Sequence, residues 1–371
     1  MIVTVLGGGN GAHAAVVDLT LGGHEVRWWR RGAAFPSGGR LRYLTHDQTC
    51  SLRGDDPPHP PERTGTVTPA LVTHDLAAAV GGAGLVVAPV PASAQPELLA
   101  ALAPVLEPGQ AVAFTPGTFG TWHGARLRPD VAFLETGTLP YLTRVTAPGE
   151  ISIPVTASRL PVGAIPGTGP LADEGHARFA AAYPMAVRVS DGLDAALTNW
   201  GPVIHPPLIA HNLGAIQNLG DRFDIHADGT SPAVLATTRA LDAERIALRE
   251  ALGLPEPHWP LEDYYLERDT SMYPPDAKER LLASGLWRET VGLDHRYVHE
   301  DVRRGLVLNV ALARLAGVAA PVGSAILTLL GAALGEDLLD PGRVTALLGT
   351  DDLDHLRATA RTGVPQHANL T

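Results

Sequence analysis

Strand candidates recur at residues 2–6, 25–28, 84–90, 111–114, 131–136 and 186–189. Helical spacing of apolar positions lies between several of them, over residues 13–21 and 95–106. Strand and helix taking turns in this way predicts a doubly wound, mostly parallel sheet. From about Asp191 onward the strand signal stops. Apolar positions there suit helices over residues 191–200, 208–219, 232–252, 276–282, 303–316, 324–334 and 340–348. The pattern therefore predicts an α/β domain over residues 1–190 followed by an all-α domain over residues 191–371. The proline-rich, polar stretch 36–69 reads as an irregular insertion or a small antiparallel excursion.

The first strand runs straight into Gly7-Gly-Gly-Asn-Gly-Ala12. Gly7, Gly9 and Ala12 fill the spacing G-x-G-x-x-G/A, with a helix following and a second strand after Gly22-Gly23. The first glycine permits the tight turn, and the second lets backbone approach a pyrophosphate. The third small residue lets the helix pack on the strand. The expected N-terminal unit is thus a Rossmann-type dinucleotide-binding domain. An acid at the end of the second strand would hydrogen-bond a ribose 2′-hydroxyl, and none is there. Arg27-Trp28-Trp29-Arg30-Arg31 stands in its place, with Arg30 and Arg31 suited to a 2′-phosphate and an aromatic able to lie against adenine. NADP is favoured over NAD on this ground.

At 371 residues with 45% apolar and 18% charged content, the chain has room for two cored domains. The net charge of −11 argues against nucleic acid or an anionic membrane surface as partner. Cys50 is the single cysteine, which excludes a disulfide scaffold and fits a reducing, cytoplasmic compartment. The opening residues already read as a strand, so no leader peptide is expected, and no apolar run is long enough to span a bilayer.

A bound dinucleotide calls for a proton donor and a carboxylate-holding cation in the second domain. His205 lies in Trp200-Gly-Pro-Val-Ile-His205-Pro206-Pro207, where the following proline pushes its backbone toward extended geometry and should kink or interrupt a helix. His295-Arg296-Tyr297-Val298-His299-Glu300-Asp301 precedes the helix expected near Arg303, and Asp301 at its start would be kept ionised by the helix dipole. A carboxylate beside an imidazole fixes its tautomer. His295 and His299 are four apart but lack a third ligand, so no metal site is expected. His205 also reads as a half-buried structural histidine, and Arg296 with Asp301 as a helix-start ion pair.

Four segments together resemble the octopine and opine dehydrogenase family. They are Gly7-Gly-Gly-Asn-Gly-Ala-His13, Val90-Pro-Ala-Ser-Ala-Gln95, Glu135-Thr136 with Leu139-Pro-Tyr-Leu-Thr-Arg144, and Ile204-His205-Pro206 with the run from Arg296 to Asp301. The resemblance implies reductive coupling of a 2-oxo acid to an amino group with NADH or NADPH. It also implies His205 as acid/base, Asp301 as its orienting carboxylate and Arg296 as the clamp on the oxo-acid carboxylate. Thr136 and Arg144 fall where substrate contacts are expected. Gly7, Gly9, Asn10, Gly11, Ala12, Val90 and Pro91 fall at the cofactor. Thr118 stands where a glutamine is often found, and Gln95 where a histidine is, which bears on substrate identity rather than on hydride chemistry. A related reductase of a ketone or preformed cyclic imine is the alternative, and a non-catalytic dinucleotide-binding protein the third reading. The lone Lys278 sits in a polar helix start, ill placed for the lysine donor of ketopantoate-type relatives. The implied partners are small molecules, a 2-oxo acid and an amine, and a homodimer is compatible with this.

Overall fold

The computed structural model describes residues 1–32, 34–46, 62–284 and 288–364, so Cys50 lies outside the described residues. Twelve strands are found among them: β1 Ile2–Leu6, β2 Glu25–Trp29, β3 Leu41–His46, β4 Glu62–Val67, β5 Leu71–Thr73, β6 Leu85–Ala88, β7 Ala111–Phe114, β8 Ala132–Thr136, β9 Tyr141–Ala147, β10 Glu150–Thr156, β11 Leu160–Ile165 and β12 Ala186–Arg188. Eight form one sheet in the order β12-β11-β8-β7-β6-β1-β2-β5. All its pairings are parallel except β8 with β11. Side chains alternate across it, so Val3, Val5, Leu85 and Val87 enter one core while Val86, Ala88, Val112 and Phe114 enter the other. Strand order reverses between β1 and β6, and in such sheets ligands bind in the crevice beyond the carboxyl ends at that point. The first half is thus the doubly wound Rossmann-type unit, and no strand follows Arg188 among the described residues.

A second sheet, in the order β4-β3-β10-β9, stands on the first half and was only partly anticipated. Strands β3 and β4 are the antiparallel excursion, but β9 lacks alternation and β10 alternates around a proline. Pro154 lies inside β10, where it cannot donate to a ladder, and the pairing slips in register between Ser152 and Val155.

Two expectations for the helical half are corrected. Helix Gly201–Leu219 runs unbroken through His205, Pro206 and Pro207. The amides of Val203 and Ile204 both bond the Trp200 carbonyl, which secures the first turn, so the prolines deprive only the carbonyls of Pro202 and Val203 of donors. Close packing offsets that loss, since a side chain at Gly305 would collide with Pro202 on this helix. The second correction concerns the helix expected from residue 303. It begins at Tyr297 as a π-helical segment, Tyr297–Leu306, and continues as Val307–Leu315. Asp301 therefore sits mid-segment rather than at a helix start. Wide turns of this kind recur at functional sites. Among the described residues, no helix is long and apolar enough to cross a membrane.

Candidate active site

The glycine loop leaves β1 at Gly7, whose φ of +120° suits a residue without Cβ. Its amide donates to the Trp29 carbonyl at 2.9 Å, and its carbonyl accepts from Trp28 Nε1 at 2.8 Å. Nothing lies within 4 Å of where a Gly9 side chain would point, so the backbone before helix Asn10–Leu21 faces open space. Ala12 is buried, and a Cβ on Gly11 would sit 2.8 Å from Leu139 and 3.1 Å from Pro89. The loop after β6 closes the other side, with Val90 3.3 Å from a Cβ placed on Gly7 and Pro91 turning into the helical turn Ala92–Ala94. His13 caps the arrangement from beneath, its Nδ1 2.9 Å from the Gly9 carbonyl and its ring edge-on to Trp28.

The cations behind this loop divide. Arg30 lies across Gly8, 2.7 Å from where its Cβ would be, and packs against Trp28 and Phe35 with centroid distances of 5.5 and 5.9 Å. Its Nη1 donates to Ala34 O, while Nε is buried without a partner among the described residues. Arg31 turns outward into an exposed ion pair with Glu97. Trp28 is fully buried and Trp29 donates to His74 O, so both indoles serve the fold. Asn10 also turns its side chain to the protein, accepting the Val145 amide of β9 at 2.9 Å.

On the helical side, His205 Nδ1 lies 2.6 Å from Asp301 Oδ2, so the proton on Nδ1 points to the carboxylate and Nε2 is the ring nitrogen outside that contact. Burial lowers the imidazole pKa, and Asp301 pulls it back up without fully offsetting the burial. Gly201 makes room for that carboxylate, because a Cβ there would collide with Asp301 Oδ1. The Arg296 side chain is 47% exposed and, among the described residues, reaches no carboxylate nearer than Glu300 at 3.9 Å, so its guanidinium remains available to a ligand. Glu300 is pushed up to about 7 by burial and by Asp301 beside it, and it accepts the Ala92 amide of the cofactor-side loop.

The remaining expected substrate residues are differently employed. Thr136 is buried and donates to Thr138 O at 2.7 Å. Thr118, in left-handed backbone at φ 58°, faces Asn199 Nδ2 at 3.4 Å. Arg144 reaches the site through Glu289, at 3.0 Å. Glu135, next to Thr136, is buried and shapes the Thr118 loop by accepting the Phe119 and Thr121 amides and the Thr121 hydroxyl. Burial pushes its carboxyl up to about 7. Gln95 holds the same loop by donating to Gly117 O at 2.7 Å. Lys278 is exposed. His295 faces Glu289 and His299 faces Arg303, and no metal-binding group of three or more ligands occurs among the described residues. Tyr297 and Glu289 were missed by the sequence reading, although Tyr297 lies inside the run from His295 to Asp301. A cavity of about 340 Å³ beside Leu327, Gly331, Glu336 and Leu338 includes none of these residues.

The fold joins a dinucleotide-type sheet to a helical second half, with the His205–Asp301 pair on the helical side. Residues 188–334 match the family described as NAD/NADP octopine/nopaline dehydrogenase, alpha-helical domain. The chain is 29% identical over 363 residues to an opine dehydrogenase of Arthrobacter sp. (strain 1C), covering 94% of this chain and 95% of that one. In fold it is similar to octopine dehydrogenase solved with NADH and agmatine, at a TM-score of 0.72 and 20% identity over 98% of this chain and 100% of that one. It is also similar to a yersinopine dehydrogenase solved with NADP+, at 0.63 and 18% over 96% and 97%. Over nearly its whole length the chain is thus similar to opine dehydrogenases.

Proposed function

We propose that this dehydrogenase reductively couples a 2-oxo acid to an amino group, using NADPH in preference to NADH. The observation that carries the reading is the 2.6 Å His205–Asp301 pair set beside the Arg296 guanidinium, whose nearest carboxylate among the described residues is Glu300 at 3.9 Å. The domain division near residue 190 then separates a cofactor half from a substrate half. Arg296 would hold the oxo-acid carboxylate through two parallel hydrogen bonds, which a planar fork makes and an ammonium does not. His205 Nε2 takes and returns the protons that condensation, loss of water and reduction require, with Asp301 holding its tautomer. Gly7, Gly9, Gly11, Ala12, Val90 and Pro91 fit a dinucleotide, since the glycine loop is open at Gly9 and leads into a helix N-terminus. A nicotinamide bound there supplies the hydride that reduces the imine carbon. The single cysteine supports a reducing, cytoplasmic setting.

Oxidation of NADPH with a 2-oxo acid is expected to be slow alone and to rise steeply with the right amine, which a panel of amino acids and oxo acids in a spectrophotometric assay would show. Equal rates with and without every amine would select a reductase of ketones or preformed cyclic imines instead. The cofactor choice rests on Arg30, whose Nε is buried above Gly8 and unpartnered among the described residues. Arg30→Ala is expected to weaken NADPH about tenfold or more, with little change for NADH, since a charge-assisted hydrogen bond to phosphate is lost. Titrating both nucleotides against the variant decides it, and equal losses would refute the phosphate assignment.

A further inference from the structure

The ring of Tyr297 lies parallel to the His205 imidazole, with centroids 3.6 Å apart and planes within 10°. The Arg296 guanidinium lies against the same ring, its Cζ 4.8 Å from the centroid. One buried aromatic is therefore the common neighbour of the acid/base and of the carboxylate clamp. Tyr297 and Asp301 are four residues apart on the π-helical segment, the first covering the imidazole face and the second gripping its Nδ1 edge.

The ring is itself fixed by its hydroxyl, which donates to Glu289 Oε2 at 2.5 Å and lies 3.1 Å from His226 Nε2. Glu289 in turn faces Arg144 at 3.0 Å and His295 at 3.5 Å through Oε1. Burial alone would raise the Glu289 carboxyl, but His226, His295, Arg144 and Tyr297 together hold it well below the usual carboxylate range. Burial, with Glu289 beside it, pushes the phenol far above its ordinary value, so the phenol donates and the carboxylate accepts. A phenol hydrogen-bonded to a carboxylate has an electron-rich face, which attracts a cation stacked on it.

We propose that Tyr297, anchored by Glu289, is a positioning residue that sets the separation of His205 from Arg296 and stabilises the imidazolium when His205 takes up a proton. The proposal rests on the reading of His205 as the acid/base, not on the identity of the amine. The charged and titratable groups facing the imidazole are Asp301, Tyr297, Arg296 and His226. Glu289, His295 and Arg144 act on it through Tyr297. Of the helices packed on the far side of Gly201–Leu219, Pro232–Ala251 has Arg239 on Glu262, Arg245 on Asp242 and Glu244 on the amides of Val322 and Gly323, and Pro321–Leu334 carries no charge.

The test is an NMR titration of the His205 imidazole in the full chain, assigned by difference from His205→Ala, together with kcat and KM for the 2-oxo acid. Tyr297→Leu is expected to lower the titration midpoint by about half a unit to one unit. It is also expected to lower kcat by roughly tenfold or more and to raise KM severalfold as Arg296 loses its support. Tyr297→Phe and Glu289→Gln, which keep the packing, are expected to lower the midpoint by less and to keep more of kcat. A folded Tyr297→Leu protein with an unmoved or raised midpoint overturns the proposal. If that variant does not fold, an unmoved midpoint in both conservative variants overturns it and a lowered one supports it. The titration needs no turnover, so amine-independent catalysis would remove the coupling reaction and leave this result standing.

Discussion

Replacing His205 with alanine leaves cofactor affinity within about twofold and lowers kcat by roughly 10²–10⁴-fold, the range over which a positioned acid/base contributes. The two effects separate because the histidine and the glycine loop belong to different halves of the chain. Gly7, Gly9 and Val90 are positioned by β1 and β6, and His205 by helix Gly201–Leu219. Alanine keeps that helix, which already accommodates two prolines, and removes only the imidazole paired with Asp301. Nucleotide fluorescence titration beside steady-state turnover measures both quantities. Undiminished turnover would remove His205 from the reaction. Loss of nucleotide binding in step with turnover would mean that the residue supports the cleft rather than the chemistry.

How much of this was legible before the structure depends on how local each signal is. The glycine loop is a local device, since a turn, a close approach and a packing contact are each written as a small residue at a fixed offset. Strands β6 and β7 were equally readable because they are buried at every position and apolar throughout. The second sheet was not. Strand β9 mixes Thr143, Arg144 and Thr146 with its apolar residues and lacks alternation, while β10 alternates through Ile151, Ile153 and Val155 but carries Pro154, which argues against a strand. At the site, the His205, Arg296 and Asp301 trio stood out because a titratable side chain beside proline, or in a dense charged run, is conspicuous. What such a run cannot show is direction. Asn10, Thr136 and Arg31 have suitable groups, yet the tertiary fold turns them to Val145, Thr138 and Glu97. Glu289 carries no local mark at all, because its partners come from residues 144, 226, 295 and 297, gathered from both halves of the chain.

Replacing Asp301 with asparagine is expected to lower kcat by roughly 10²-fold or more while changing the shape of the site least of all. The amide is isosteric with the carboxylate, so the space kept by Gly201 still suffices. The electrostatics change in two ways. Burial lowers the His205 pKa and Asp301 opposes it, so without the negative charge the imidazole pKa falls further. The acid limb of kcat/KM, already expected below the free-imidazole value of about 6.5, therefore moves to still lower pH. The variant keeps its imidazole neutral over a wider range yet turns over more slowly, because the protonated form that catalysis must pass through has lost its counter-charge. The amide NH₂ can also donate to Nδ1, which places the ring proton on Nε2 and leaves no acceptor there. A pH profile of kcat/KM alongside kcat at a pH well above the limb separates these effects, since the tautomer fault persists where the titration no longer matters. A limb that stays in place or moves upward would show that Asp301 does not act on the imidazole, leaving the 2.6 Å contact as a structural link between two helices.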